Sequence, residues 1–88
     1  MSSILNTYNR KKISFSRGKG SYLYSTNGKK YLDFVQGIAV NCLGHANNYL
    51  ISAIKKQSQK VWHVSNAFVI PEQEKLAKRL TQKTFADF

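Results

Sequence analysis

Two histidines, His45 and His63, and four carboxylates, Asp33, Glu72, Glu74 and Asp87, have the most scope for acid–base or metal chemistry in this sequence. The histidines lie far apart, and neither has a second histidine, a cysteine or a carboxylate at metal-ligand spacing, so no metal site is expected. His45, directly after Gly44, reads as a turn or capping residue, and His63, beside Trp62, has no partner in the sequence that would make it a catalyst. Glu72 and Glu74 follow Pro71 and are better explained as helix-start charges than as a catalytic carboxylate pair. Gly18-Lys19-Gly20 is too short for a phosphate loop, and no Gly-Lys-Ser/Thr follows it. A lysine that attacks a carbonyl must be buried or otherwise lowered in pKa. All eleven lysines sit in polar stretches, several beside another cation, so none is a candidate. By residue type and spacing alone, no catalytic, cofactor-binding or metal-binding residue is identified.

The elements around these residues are short. Residues 1–20 are basic and polar, punctuated by Gly18 and Gly20, and read as an N-terminal arm. Ser21–Ser25 and Lys30–Phe34 read as two strands joined by Thr26-Asn27-Gly28, because Asn-Gly tolerates the positive φ of a tight hairpin. Gly37–His45 brackets an apolar run with two glycines and predicts a buried extended segment, or a loop that ends in a turn, so residues 21–45 form a hairpin and its continuation. Residues 46–88 read as a helical segment. Asn47 caps a helix from about Asn48 to Val61, with Leu50, Ile51, Ile54, Ser58 and Val61 at helical spacing. Trp62–Ile70 is a loop of large apolar groups, which implies that it packs on something. Pro71 opens a second helix with Leu76, Ala77 and Leu80 as its stripe. The expected fold class is therefore α+β: a β-hairpin followed by two helices.

Composition narrows the class. At 88 residues the chain holds one small domain at most, with 42% apolar residues and a formal net charge of +10. Such a charge suits a nucleic-acid binder, but the lysines come in ones and twos without an arginine-rich run. They read as a solvated surface, or as one end of a larger protein's charge balance. Cys42 is the only cysteine, so an intrachain disulfide is excluded. No apolar run approaches the roughly 20 residues of a membrane-spanning helix, and a cytoplasmic location is expected. The helix stripes lack partners, and Phe85 and Phe88 stand among the last four residues; both features suggest an interrupted sequence.

The motifs, read in order, resemble one family. Thr7-Tyr8-Asn9-Arg10, Arg17-Gly18-Lys19-Gly20, Leu23-Tyr24, Tyr31-Leu32-Asp33-Phe34 and Gly37-Ile38-Ala39-Val40-Asn41 are similar to the opening of acetylornithine aminotransferases. Leu43-Gly44-His45, Trp62-His63-Val64-Ser65-Asn66, Pro71-Glu72-Gln73-Glu74 and Thr84-Phe85-Ala86-Asp87 continue the likeness. The resemblance implies the N-terminal segment of a fold-type-I, class III transaminase, an α/β protein that depends on pyridoxal 5'-phosphate and works as a homodimer. It implies a reaction that moves the amino group of N2-acetylornithine to 2-oxoglutarate in arginine biosynthesis. It also implies that the phosphate site, the Schiff-base lysine and the rest of the large domain lie beyond Phe88, so that this chain alone is inactive.

Within that resemblance, Ile38 falls where ornithine aminotransferases carry tyrosine and where acetylornithine and 4-aminobutyrate enzymes carry isoleucine. Judged without the family, Ile38 is as readily an ordinary core aliphatic. Ser65, Asn66, Phe68 and Val69 match the loop that approaches the substrate entrance near the dimer interface. These five residues are the expected substrate-pocket wall. Ala46-Asn47-Asn48 departs from the family, which continues Gly-His with a second histidine and a proline. Succinyl-diaminopimelate, 4-aminobutyrate and ornithine are the alternative amino donors. A stand-alone basic polyanion-binding module, and a piece that docks onto a separately encoded remainder, are the alternative classes.

Overall fold

The computed structural model describes residues 2–87, in two compact units that divide within a helix, between Ala53 and Ile54. The first unit is built on a three-stranded antiparallel sheet in the order β1-β2-β3, with β1 at Phe15–Lys19, β2 at Tyr22–Ser25 and β3 at Lys30–Leu32. Gly20 turns β1 into β2 with φ 56°, and Gly28 turns β2 into β3 with φ 85°, both left-handed values that glycine adopts without a Cβ penalty. Ser25 closes the second turn. Its amide donates to the Lys29 carbonyl at 2.9 Å, its carbonyl accepts from Gly28 at 2.9 Å, and its hydroxyl accepts from the Lys29 amide at 3.0 Å. Ser25 is also the one buried polar residue among those described, at 5% exposure.

The register sorts the side chains into two faces, because neighbours along a strand alternate and paired residues share a side. Arg17, Tyr24 and Lys30 form one row, and Lys19, Tyr22 and Leu32 the next. On this face the Arg17 guanidinium sits 3.6 Å from the Tyr24 ring centroid and the Lys30 ammonium 3.9 Å from that of Tyr22. Gly18, Leu23 and Tyr31 share the opposite face, where Phe15 meets Tyr31 edge-on at 5.6 Å.

Two expectations need correction here. The N-terminal arm of residues 1–20 contains a full strand, β1. Its polar composition hides it, since Arg17 and Lys19 alternate with small residues rather than with apolar ones. What holds β1 is ladder pairing and the stacking of Arg17 on Tyr24, neither visible as hydrophobic periodicity. A register shift between Phe15 and Arg17 further blurs the alternation.

The segment Gly37–His45 is neither extended nor buried. It begins with α1, a single turn at Gln36–Ala39 in which all four φ angles are positive: 54°, 63°, 63° and 61°. Ile38, Val40 and Leu43 are 86%, 74% and 59% exposed. The chain then returns to the sheet, where Gly20 and His45 exchange amide–carbonyl bonds of 3.0 and 2.8 Å as an isolated antiparallel bridge.

α2 occupies Asn48–Ser58. Asn47 caps it as expected, its side-chain oxygen accepting from the amides of Tyr49 at 3.0 Å and Leu50 at 3.2 Å. In the second unit, the Gln57 side-chain amide donates to the Val61 carbonyl at 2.8 Å, and the Trp62 indole N–H donates back to the Ser58 carbonyl. α3 covers Pro71–Lys83, with Pro71 at its first turn, Glu72 and Glu74 near its positive end and Lys83 in its last turn. The Trp62–Ile70 loop finds no cover among the described residues: Trp62, Phe68 and Val69 are 85%, 68% and 90% exposed. The α3 stripe is also open, with Leu76 and Leu80 at 59% and 50%. Among the described residues no hydrophobic side chain is buried.

Candidate functional site

The best-organised polar group in the first unit gathers around Asp33, just after β3. One carboxylate oxygen accepts from the amides of Val35 at 3.0 Å and Gln36 at 2.9 Å, and the other lies 2.6 Å from His45 Nε2. The Asp33 and His45 side chains are 6% and 18% exposed. The Gln36 amide holds the Asp33 carboxyl below its ordinary pKa, assisted by the His45 ring and the Val35 amide, while burial opposes them. An ionised carboxylate only accepts hydrogen bonds, so the proton between the pair belongs to Nε2.

Glycines make this pairing possible. A Cβ on Gly18 would lie 2.6 Å from His45 Cγ, and a Cβ on Gly44 would meet the Gly20 backbone at 3.0 Å. Gly18 thus leaves room for the imidazole against the sheet, and Gly44, at φ 81°, brings the returning chain alongside Gly20. A depression of about 240 Å³ opens between these segments, with Asp33, Gln36, Asn41, Cys42 and His45 on its wall.

Beyond Asp33 stands the left-handed turn. The amides of Ile38 and Ala39 donate to the Val35 carbonyl at 2.9 and 3.1 Å, and those of Val40 and Asn41 to the Gln36 carbonyl at 2.9 and 3.0 Å. The Asn41 side chain adds a bond to the same Gln36 carbonyl at 3.4 Å. Left-handed backbone costs L-residues about 1–2 kcal/mol each, and three of these four residues carry a Cβ. Ile38 is the extreme case, a β-branched side chain at φ 63°, ψ 64°.

The other expected pocket-wall residues belong to the second unit. The Ser65 hydroxyl accepts from the Ala67 amide at 3.2 Å and its carbonyl accepts from Phe68 at 3.0 Å, so Ser65 closes a local turn. Asn66 and Val69 line a depression of about 580 Å³, together with Trp62, His63, Ile70 and Glu72, whereas Ser65 and Phe68 stand outside it. His63 is exposed within that wall.

The described residues do not form a cradle for a phosphorylated aldehyde cofactor. All eleven lysines are exposed, so none is desolvated for imine formation. The Gly20 amide, in the only glycine-flanked basic stretch, is already bonded to His45. No group of three or more His, Cys, Asp or Glu that could hold a metal ion occurs among the described residues. Nor is any described helix long and apolar enough to cross a membrane.

Sequence reasoning missed the Asp33–His45 pair. Its members stand twelve positions apart, and the signal available was indirect: Gly18, which leaves room for the His45 ring, and Gly44, which lets the returning chain approach the Gly20 backbone.

The chain as a whole is similar to known proteins. The chain is 55% identical to an acetylornithine aminotransferase of Agrobacterium fabrum over 84 residues, which are 96% of this chain and 21% of that protein. It is 52% identical to one from Rhodobacter capsulatus, over 99% of this chain and 22% of the relative. Among solved structures, an N-acetylornithine aminotransferase from Stenotrophomonas maltophilia superposes with a TM-score of 0.77 at 33% identity, covering 85% of this chain and 21% of that one. An adenosylmethionine-8-amino-7-oxononanoate aminotransferase from Methanocaldococcus jannaschii gives 0.79 at 34% identity, covering 93% and 20%. The chain therefore spans about a fifth of the length of the aminotransferases it matches, and within that fifth it shares their fold. The aminotransferase class-III family model matches residues 5–88. With nearly every residue inside that match, and the sheet and helices superposing on solved aminotransferases, the chain belongs to the class III aminotransferase family.

Proposed function

We propose that this chain contributes part of the substrate-pocket wall to an aminotransferase acting on N2-acetylornithine and 2-oxoglutarate, in arginine biosynthesis. The observation that carries this reading is Ile38. A β-branched residue held at φ 63°, ψ 64° and 86% exposed is strained and presents its side chain outward. Strain of this kind persists where the surroundings over-determine it, and it concentrates at ligand-contacting positions. Ile38 also falls where the resemblance sets isoleucine apart from the tyrosine of ornithine enzymes. An aliphatic wall suits a donor whose α-amine is acetylated and uncharged, whereas a free ammonium needs a polar partner to offset its desolvation.

Ser65, Asn66, Phe68 and Val69 are assigned to the approach of the substrate entrance. Phe68 and Val69 have exposed apolar surface to offer, and the Ser65 turn holds them in place. In this reading the complete enzyme is a cytoplasmic homodimer. Pyridoxal 5'-phosphate, its cofactor, acts as the electron sink of transamination. The residues of this chain do not fit that cofactor, so their part is to shape and wall the donor site. Residues 46–88 form the helical passage toward the cofactor-binding domain.

A donor panel tests the proposal. For the enzyme carrying this sequence, kcat/KM with N2-acetylornithine is expected to exceed that with ornithine, 4-aminobutyrate or succinyl-diaminopimelate. A preference for any of the other three overturns the assignment of donor.

A further inference from the structure

The left-handed turn at Gln36–Ala39 requires something to hold it, and the structure offers one device. Three residues with a Cβ stand at φ 54°, 63° and 61°, a costly conformation for L-residues, and α1 is too short to be stable by itself. The Asp33 carboxylate accepts the amides of Val35 and Gln36, which enter the turn, at 3.0 and 2.9 Å. Its other oxygen is fixed by His45 Nε2 at 2.6 Å. His45 in turn is fixed to the sheet twice: its backbone pairs with Gly20, and its ring lies against Gly18.

We infer that Asp33 and His45 are a positioning pair that clamps the entry of the left-handed turn to the sheet and thereby sets the direction of Ile38. The inference rests on the reading of Ile38 as pocket wall. Neither residue touches substrate in this scheme; they act through the turn. One carboxylate is sufficient because its two oxygens face two different elements. One oxygen takes the start of the turn, and the other takes the returning chain at His45. Among the titratable side chains of the described residues only His45 bonds to it, while Cys42 stands on the wall of the adjoining depression. Two glycines beside the pair belong to the same device, since a Cβ at Gly18 would displace the ring and one at Gly44 would push the returning chain off Gly20.

Multidimensional NMR on the isotopically labelled full chain tests the clamp. Positive φ gives strong intraresidue amide–Hα cross-peaks, expected at Gln36, Ile38 and Ala39 in the unmodified chain. Asp33→Ala is expected to abolish them while the cross-strand contacts of Arg17 with Tyr24 and of Tyr22 with Leu32 persist. Asp33→Asn should restore them, because its side-chain oxygen still accepts both amides and its NH2 group can meet Nε2 of the other imidazole tautomer. The inference is overturned if the unmodified chain lacks the signature or Asp33→Ala retains it. It is equally overturned if Asp33→Asn fails to restore the signature, or if Asp33→Ala also loses the cross-strand contacts. These readouts make no use of Ile38's role. An Ile38→Tyr enzyme with unchanged donor preference would remove the pocket-wall reading and leave the clamp standing.

Discussion

Asp33 joins three pieces of chain through a single carboxylate, and its ionisation carries a consequence for pH. The Gln36 amide, first, and then the His45 ring hold its folded-state pKa below the value the unfolded chain would show. A carboxyl depressed on folding stabilises the folded form above the unfolded pKa and loses that contribution as pH falls through the folded value. The turn should therefore be intact at neutral pH and released only in acid below the ordinary carboxylate range. Following the Ile38 and Ala39 amide resonances through an acid titration checks this. Their movement should follow the Asp33 side-chain carbon, with a midpoint below the ordinary carboxylate range. A midpoint within or above the ordinary carboxylate range, or amide resonances that move independently of the Asp33 carbon, would contradict it. His45 illustrates what residue types alone conceal. A single histidine after a glycine gave no reason to seek a partner, yet its carboxylate lies twelve positions back and the glycine that admits its ring further still.

At the scale of elements, the sequence is most legible where local chemistry decides the conformation. The Asn27-Gly28 turn, the Asn47 cap and the Pro71 start of α3 follow from φ preferences and orphan amides, and each stands where those rules place it. β1 and α1 were illegible for opposite reasons. β1 is set by pairing with β2 across a two-residue turn, and its polar side chains mask any alternation. α1 runs against intrinsic preference: its left-handed turn is held by bonds to the Asp33 carboxylate and the Val35 and Gln36 carbonyls, and the contact that ties this group to the sheet, Asp33 with His45, spans twelve positions. Of the candidate site, Ile38 was legible only through family likeness, because an isoleucine between glycine and alanine reads equally well as core. The cap at α2 provides a direct energetic check. Asn47→Ala removes the acceptor of the Tyr49 and Leu50 amides and should destabilise the helix by about 1 kcal/mol. Amide exchange at Tyr49 and Leu50 would then quicken several-fold relative to the amides of α3, and unchanged exchange would show that the cap contributes nothing.

On the scale of the molecule, the absence of any buried hydrophobic side chain among the described residues is the dominant fact. Phe34, Trp62 and Val69 are 87%, 85% and 90% exposed. That surface agrees with a chain spanning a fifth of its relatives, and with helix stripes whose partners belong to the remainder of an aminotransferase. The charge of +10 fits the same picture, as one end of a larger balance. In this account the chain supplies shape to a donor site whose cofactor is held elsewhere, and Ile38 is the side chain that selects the donor. The direct measurement is kcat/KM for N2-acetylornithine and for ornithine, with the unmodified enzyme carrying this sequence and with Ile38→Tyr. Tyrosine is not β-branched and tolerates φ 63° no worse than isoleucine, so the substitution changes the wall without breaking the turn. The account predicts that the preference for N2-acetylornithine over ornithine falls by about 10-fold, roughly 1.4 kcal/mol of discrimination. An unaltered ratio between the two donors would contradict it.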